Sequence, residues 1–237
     1  MRESGRLLAM VLSTLKEAIQ PGMSTKDLAE IAKRELRSTG GLPTFLGYHG
    51  FPDVLCVSVN DEVVHGIPNH DHYIKDGDLV SLDFGVTYRG MITDAAISVV
   101  VGEISSAAKN LVNTTERSLM AGISAVHAGV QIGDIAAAVQ AVLDRAKYGI
   151  VRDLVGHGVG HELHEDPNIP NYGKSGTGPV LETGMTVAIE PMATLGDYAI
   201  RTDLDQWTIR TVDGSLAAHF EHTILVTESG TEILTQL

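Results

Sequence analysis

Residues 75–85, KDGDLVSLDFG, and residues 182–192, ETGMTVAIEPM, read as one strand motif written twice. In each, a glycine (Gly77, Gly184) precedes a short apolar run that ends in or just before an acid, Asp83 in the first and Glu190 in the second. Side chains of a strand alternate between faces. Ser81 and Asp83 therefore share one face, opposite Val80, Leu82 and Phe84, and Ala188 and Glu190 match them, opposite Val187 and Ile189. The acids stand on a face kept open by small residues, with bulky residues building a core behind. A carboxylate inside an apolar run is costly unless something compensates its charge, and a bound metal is one of the few groups that can.

The matched register extends outward. Gly22 and Gly129, Asp27 and Asp134, Gly77 and Gly184, and Asp83 and Glu190 are each 107 residues apart, and PGMSTKDLAEIA (21–32) resembles AGVQIGDIAAAV (128–139). Such repetition implies two similar halves, about residues 4–105 and 106–237, within a single domain. Two further acids follow in strand-like runs, Asp94 in TDAAISVVV (93–101) and Glu221 in EHTILV (221–226), offset by 127 and so implying an insertion in the second half. His157 lies in the glycine-rich GHGVG (156–160). Asp83, Asp94, His157, Glu190 and Glu221 thus form a candidate metal site. Four converging carboxylates repel each other, and two divalent cations cancel that repulsion. One imidazole with four carboxylates is an oxygen-rich set that favours Mn, Fe(II), Co or Zn over copper.

The remaining sequence is consistent with a globular α+β chain. Its 237 residues are ample for a core, and no apolar run approaches the length of a membrane span. RLLAMVLSTL (6–15) is followed by Lys16 and Glu17 rather than a small-residue cleavage site, and reads as an amphipathic helix rather than a signal peptide. One cysteine, Cys56, excludes an internal disulfide and suits a reducing cytoplasm. A net charge of −13 argues against a nucleic-acid-binding enzyme. Apolar periodicity predicts helices over about 5–19, from Ser24 or Thr25 to about 39, over 107–126 and over 132–146. Strands are expected through 54–101 and near 150–155, 185–189, 199–201, 207–211 and 222–226.

Together the motifs NDEVVHGIP (60–68), DGDLVSLDFGV (76–86), TDAA (93–96), GHGVGHELHEDP (156–167), GMTVAIEPM (184–192) and FEHT (220–223) closely resemble those of the methionine aminopeptidases of metallopeptidase family M24, in the bacterial type I form without an N-terminal extension. The resemblance runs from about residue 4 to 234. It implies the pita-bread fold of the creatinases and aminopeptidases: two halves related by a pseudo-two-fold axis, with a curved antiparallel sheet covered by helices. It implies removal of the N-terminal methionine from nascent chains whose second residue is small, by attack of a water activated by two metal ions. The five residues above match the family's ligands. Glu190 would also shuttle the proton, and His65 and His164 match the two non-ligand histidines, facing the scissile nitrogen and the carbonyl oxygen respectively. The methionine pocket would comprise Phe45, Tyr48, Phe51, Cys56, Leu163 and Trp207, together with His65 and His164. A monomer working in the cytoplasm, in the company of the ribosome, is what the same resemblance implies.

Two positions depart from the family pattern. Phe45 stands where a smaller residue such as cysteine is usual, and His219 replaces the glutamine two residues before the last ligand. An X-Pro aminopeptidase or dipeptidase would share fold and ligands, but such relatives usually carry a large additional N-terminal domain. A cysteine hydrolase is disfavoured because nothing near Cys56 would lower its pKa. An adaptor that has lost catalysis should have lost ligands, and all five are present.

Overall fold

The computed structural model describes residues 1–236. Two helices, α1 (Arg2–Ala18) and α2 (Thr25–Arg37), precede strands β1 (Leu42–Pro43), β2 (Cys56–Val59), β3 (Glu62–Val64), β4 (Leu79–Tyr88) and β5 (Met91–Val100). The order then recurs. Helices α3 (Ser106–Ser124) and α4 (Ile132–Ala146) precede β6 (Gly149–Ile150), β7 (Gly156–Gly158), β8 (Glu165–Ile169), β9 (Thr186–Ile189) and β10 (Met192–Thr194). Strands β11 (Ile200–Thr202), β12 (Ile209–Thr211), β13 (Ala217–His219), β14 (Glu221–Thr227) and β15 (Gly230–Ile233) complete the chain.

The main sheet is antiparallel in the order β1-β4-β5-β14-β9-β7-β8, with β2 also paired to β4 and β15 to β14. The long hairpin β4–β5 of the first half meets β14 and β9 of the second, so the halves join along the β5–β14 seam. One face of the sheet carries the apolar alternates. Val57, Leu82, Phe84 and Val99 pack on Leu8, Leu15 and Leu28 of α1 and α2, and Val187, Ile189 and Ile224 pack on Leu119, Ile135 and Val139 of α3 and α4. Each half thus has its own core beneath its own helix pair.

The repeat seen in the sequence has a local cause. At the start of α2 the Asp27 carboxylate accepts from the Ser24 N–H at 2.8 Å, and at the start of α4 the Asp134 carboxylate accepts from the Gln131 N–H at 3.2 Å. Both satisfy a helix-terminal N–H that has no partner within its own helix. The repeated glycines hold left-handed conformations, with φ of 91° and 88° at Gly22 and Gly129 and 90° and 94° at Gly77 and Gly184, a region that side chains other than glycine enter at a cost.

The expected helices are all present, with 132–146 matching α4 to the residue. The strands differ in places. The strand expected at 150–155 is only Gly149–Ile150, because Arg152 and Asp153 interrupt the apolar run before β7. The strand expected at 207–211 begins at Ile209: the Asp205 carboxylate accepts from the Trp207 and Thr208 N–H groups and holds them in a turn. Strand β8, EDPNI, was not expected. A proline and three polar residues mask it, and it survives at the sheet edge, paired only to β7.

Candidate metal centre

The open face of the sheet carries Asp83, Asp94 and Glu221, and Glu190 follows at the end of β9. Ala96 in β5 pairs with Asp83 of β4 on one side and Glu221 of β14 on the other. Asp94 lies two residues from Ala96, on the same face, opposite Gly85. Ala188 in β9 likewise pairs with His157 of β7 and Thr223 of β14. Two alanines therefore leave room between flanking acids and imidazole. Glu190 lies just past β9, where Pro191 follows. Its carboxylate Oε1 is 3.6 Å from His157 Nε2. Thr223, from the EHT motif, ties the halves together at this point: its hydroxyl donates to the Asp94 carbonyl at 2.7 Å and accepts from the Asp94 N–H at 2.9 Å.

The electrostatics are those of a site built for cations. Asp83, Asp94, His157 and Glu221 are all less than 9 % exposed. Burial, reinforced by Asp94 and by one another, holds Asp83, Glu190 and Glu221 well above the ordinary carboxylate range, and burial likewise raises Asp94. No lysine or arginine is paired with these acids among the described residues. Buried Asp83 Oδ1, Asp94 Oδ1 and Glu221 Oε1 have no hydrogen-bond partner. Buried polar atoms are rarely left so, and three of them on one patch fit metal coordination. Ligand atoms of Asp94, His157 and Glu221 all lie within 4.8 Å of one another. The imidazole is ready for a cation too: burial and neighbouring His164 push His157 down to about 4, so it is neutral over the physiological range.

Above the acids is a cavity of about 280 Å³. Its walls include all the pocket residues expected from the sequence, Phe45, Tyr48, Phe51, Cys56, Leu163 and Trp207, together with His65 and His164. Phe51 packs edge-to-face on both Phe45 and Trp207, at 6.5 and 5.1 Å between ring centres. Burial lowers His65 to about 4 and lowers His164 as well, so both are neutral imidazoles. Cys56 pairs with Asp83 across β2 and β4, and burial pushes its thiol up, away from nucleophile chemistry.

Some features of the site were not anticipated. His49 also lines the cavity, in a turn where it takes a φ of 47°. The Tyr48 hydroxyl lies 2.8 Å from His164 Nδ1, which leaves His164 Nε2 free. Asn171 Nδ2 donates to the Glu190 carbonyl at 3.1 Å. These partners are distant along the chain, and no local pattern in the sequence marks them. His222 lies outside this set and is held structurally: its Nδ1 lies 2.8 Å from the Thr235 hydroxyl.

The sequence model of metallopeptidase family M24 matches residues 1–228. The chain is 46 % identical over 237 residues to methionine aminopeptidase 1 of Bacillus subtilis strain 168, covering 100 % of this chain and 95 % of that one. The chain belongs to metallopeptidase family M24, among its methionine aminopeptidases. The crystal structure of methionine aminopeptidase from Thermotoga maritima superimposes with a TM-score of 0.99 at 45 % identity, covering 100 % of this chain and 95 % of that one. A more distant structure, the Xaa-Pro dipeptidase from Bacillus anthracis, has a TM-score of 0.80 at 25 % identity, and the match covers 100 % of this chain but 59 % of the dipeptidase. The metallopeptidase is therefore of the pita-bread fold, and its likeness to the aminopeptidases far exceeds its likeness to the dipeptidase.

Proposed function

We propose that this chain, as a single catalytic domain, removes the N-terminal methionine from nascent polypeptides whose second residue is small. The observation that carries the reading is the set of buried acids, paired with no lysine or arginine among the described residues and with three orphaned oxygens, lying beneath an aromatic cavity. Asp83, Asp94, His157, Glu190 and Glu221 would hold two divalent ions, drawn from Co, Mn, Fe(II) and Zn. When bound, the two ions supply a water nucleophile near neutral pH and polarise the scissile carbonyl.

The chain's own residues do the rest. Glu190, beside His157, accepts the proton of the attacking water and passes it to the departing amine. With the Tyr48 hydroxyl, 2.8 Å away, donating to His164 Nδ1, the ring carries its proton on Nε2, which donates to the carbonyl oxygen as charge develops there. His65, which also lines the cavity and is neutral, faces the scissile nitrogen. The rings of Phe45, Phe51 and Trp207 exclude water and contact the thioether, whose sulfur favours aromatic edges. A small second residue passes the mouth of the site. The enzyme acts as a monomer in the cytoplasm, on chains leaving the ribosome, as part of protein maturation. Among the described residues no helix is long and apolar enough to cross a membrane.

Hydrolysis of Met-Ala-Ser against Ala-Pro-Ala, with added Mn or Co, tests the reading. Cleavage of the first and not the second is expected. Cleavage of Ala-Pro-Ala alone would make the chain an X-Pro peptidase, and cleavage of neither would favour an adaptor.

A further inference from the structure

His219 ends β13 and is 1 % exposed, yet neither of its ring nitrogens has a hydrogen-bond partner. Folding alone gives no reason to bury an imidazole in this state. The backbone around it is firmly held. The Ser98 hydroxyl accepts from the His219 N–H at 2.9 Å and donates to the His219 carbonyl at 2.9 Å, and it lies 2.8 Å from the Ser81 hydroxyl. Ser81 and Ser98 pair across β4 and β5 on the same face as Asp83. The sheet thus pins His219 against the site while leaving its ring unpartnered.

The ring faces Glu190. His219 Nε2 lies 3.6 Å from Glu190 Oε2, and His157 Nε2 lies 3.6 Å from Glu190 Oε1. The carboxylate sits between two imidazoles, one to each oxygen. Their roles differ. His157 shares a cluster of mutually close ligand atoms with Asp94 and Glu221, and among the described residues His219 belongs to no such cluster. A neutral imidazole carries one N–H and one bare nitrogen. A separation of 3.6 Å is too long for a hydrogen bond, but a small turn of the carboxylate about its last torsion, which is soft, closes it.

We propose that His219 is a positioning residue for Glu190: its Nε2–H donates to Oε2 and so reserves Oε1, on the His157 side, for the ion and the water. The inference rests on the two-ion reading above and adds to it a residue that touches neither ion nor substrate. Partners of this kind fix the plane of a ligating carboxylate, and their loss typically weakens metal binding or activity by about 10- to 100-fold.

Three proteins test it: the parent, His219→Gln, which keeps an N–H donor, and His219→Leu, which keeps bulk without one. Mn²⁺ binding is followed by calorimetry, Met-Ala-Ser hydrolysis by kcat and KM, and metal-free stability by melting. The proposal expects His219→Leu to melt like the parent without metal, to bind Mn²⁺ about 10- to 100-fold more weakly, and to lose kcat by a similar factor while KM stays nearly constant. His219→Gln should recover most of both losses. Parent-like Mn²⁺ affinity and kcat in His219→Leu would overturn it. So would a His219→Gln variant as impaired as His219→Leu, since that would make His219 a ligand. If His219→Leu does not fold, nitrogen-15 NMR of histidine-labelled parent with Zn²⁺ answers instead. The proposal expects the His219 proton on Nε2, and a proton on Nδ1 or a metal-bound nitrogen overturns it. A parent that takes up no ion at all would instead refute the metal-centre reading itself.

Discussion

Replacing Phe45 with cysteine separates pocket from core. The ring is 7 % exposed and lines the cavity, and it packs with Phe51, Ile92, Val159 and Leu163. Its place depends on Gly85: a Cβ there would lie 2.7 Å from Phe45 Cε1, so the ring rests directly on β4 beside the strand position that pairs with Asp94. Phe45→Cys should therefore have two effects. Loss of ring contact with the methionine sulfur, worth about 0.3–1.5 kcal/mol, should raise KM for Met-Ala-Ser about two- to tenfold and relax discrimination against norleucine and phenylalanine analogues. Full truncation of a core phenylalanine costs about 3–5 kcal/mol; here one side of the ring already borders a cavity, so a smaller loss, about 1–3 kcal/mol, should lower Tm by several degrees. Steady-state kinetics and thermal melting on the same preparation read both. A lower Tm with unchanged KM and selectivity would refute the assignment of Phe45 to the pocket.

His164→Ala should lower kcat by about 10²–10³ with metal content unchanged, and metal loss in step with activity would make His164 a ligand; Tyr48→Phe, which removes only the 2.8 Å contact to Nδ1, should cost about two- to tenfold in kcat. Burial raises all four site carboxyls, so the folded metal-free protein binds more protons than the unfolded chain. Their contribution to stability is complete below the ordinary carboxylate pKa, about 4, and is lost as pH rises through the folded values, Asp94's being about 7. Bound ions replace those protons, so the rise in Tm on adding Mn²⁺ should be larger at about pH 8 than at about pH 5; an equal rise at both would contradict the sign. Met-Gly and Met-Ala peptides should be cleaved and Met-Arg and Met-Leu peptides spared, as followed by release of free methionine, and rapid cleavage of Met-Leu would remove the small-residue rule.

The site was more legible in the sequence than the frame around it. Asp83 and Glu190 were readable because strand alternation and a matched 107-residue register place both on an open face; the structure brings them to one patch, Asp83 across Ala96 from Glu221 and Glu190 3.6 Å from His157. The helices were readable from apolar periodicity and the repeated Asp27 and Asp134 caps. Strand β8 was not, because an edge strand needs little apolar character. The partners of the site residues were hidden for a different reason. Tyr48 meets His164 across 116 positions and Ser98 meets His219 across 121, and side-chain hydrogen bonds at such separations leave no periodic trace. His219 stood out in the sequence only as an odd residue beside Glu221; its two unpartnered nitrogens required the packed structure.

The central claim, that these five residues hold two ions needed for peptide cleavage, is tested most directly by titrating Mn²⁺ into exhaustively chelated protein while following both heat and Met-Ala-Ser hydrolysis, with Glu221→Ala alongside. The account predicts no hydrolysis in the chelated parent, recovery as ions bind to a limit of two per chain, and neither tight binding nor recovery in Glu221→Ala. Full hydrolysis by the chelated parent, or by Glu221→Ala, would contradict it.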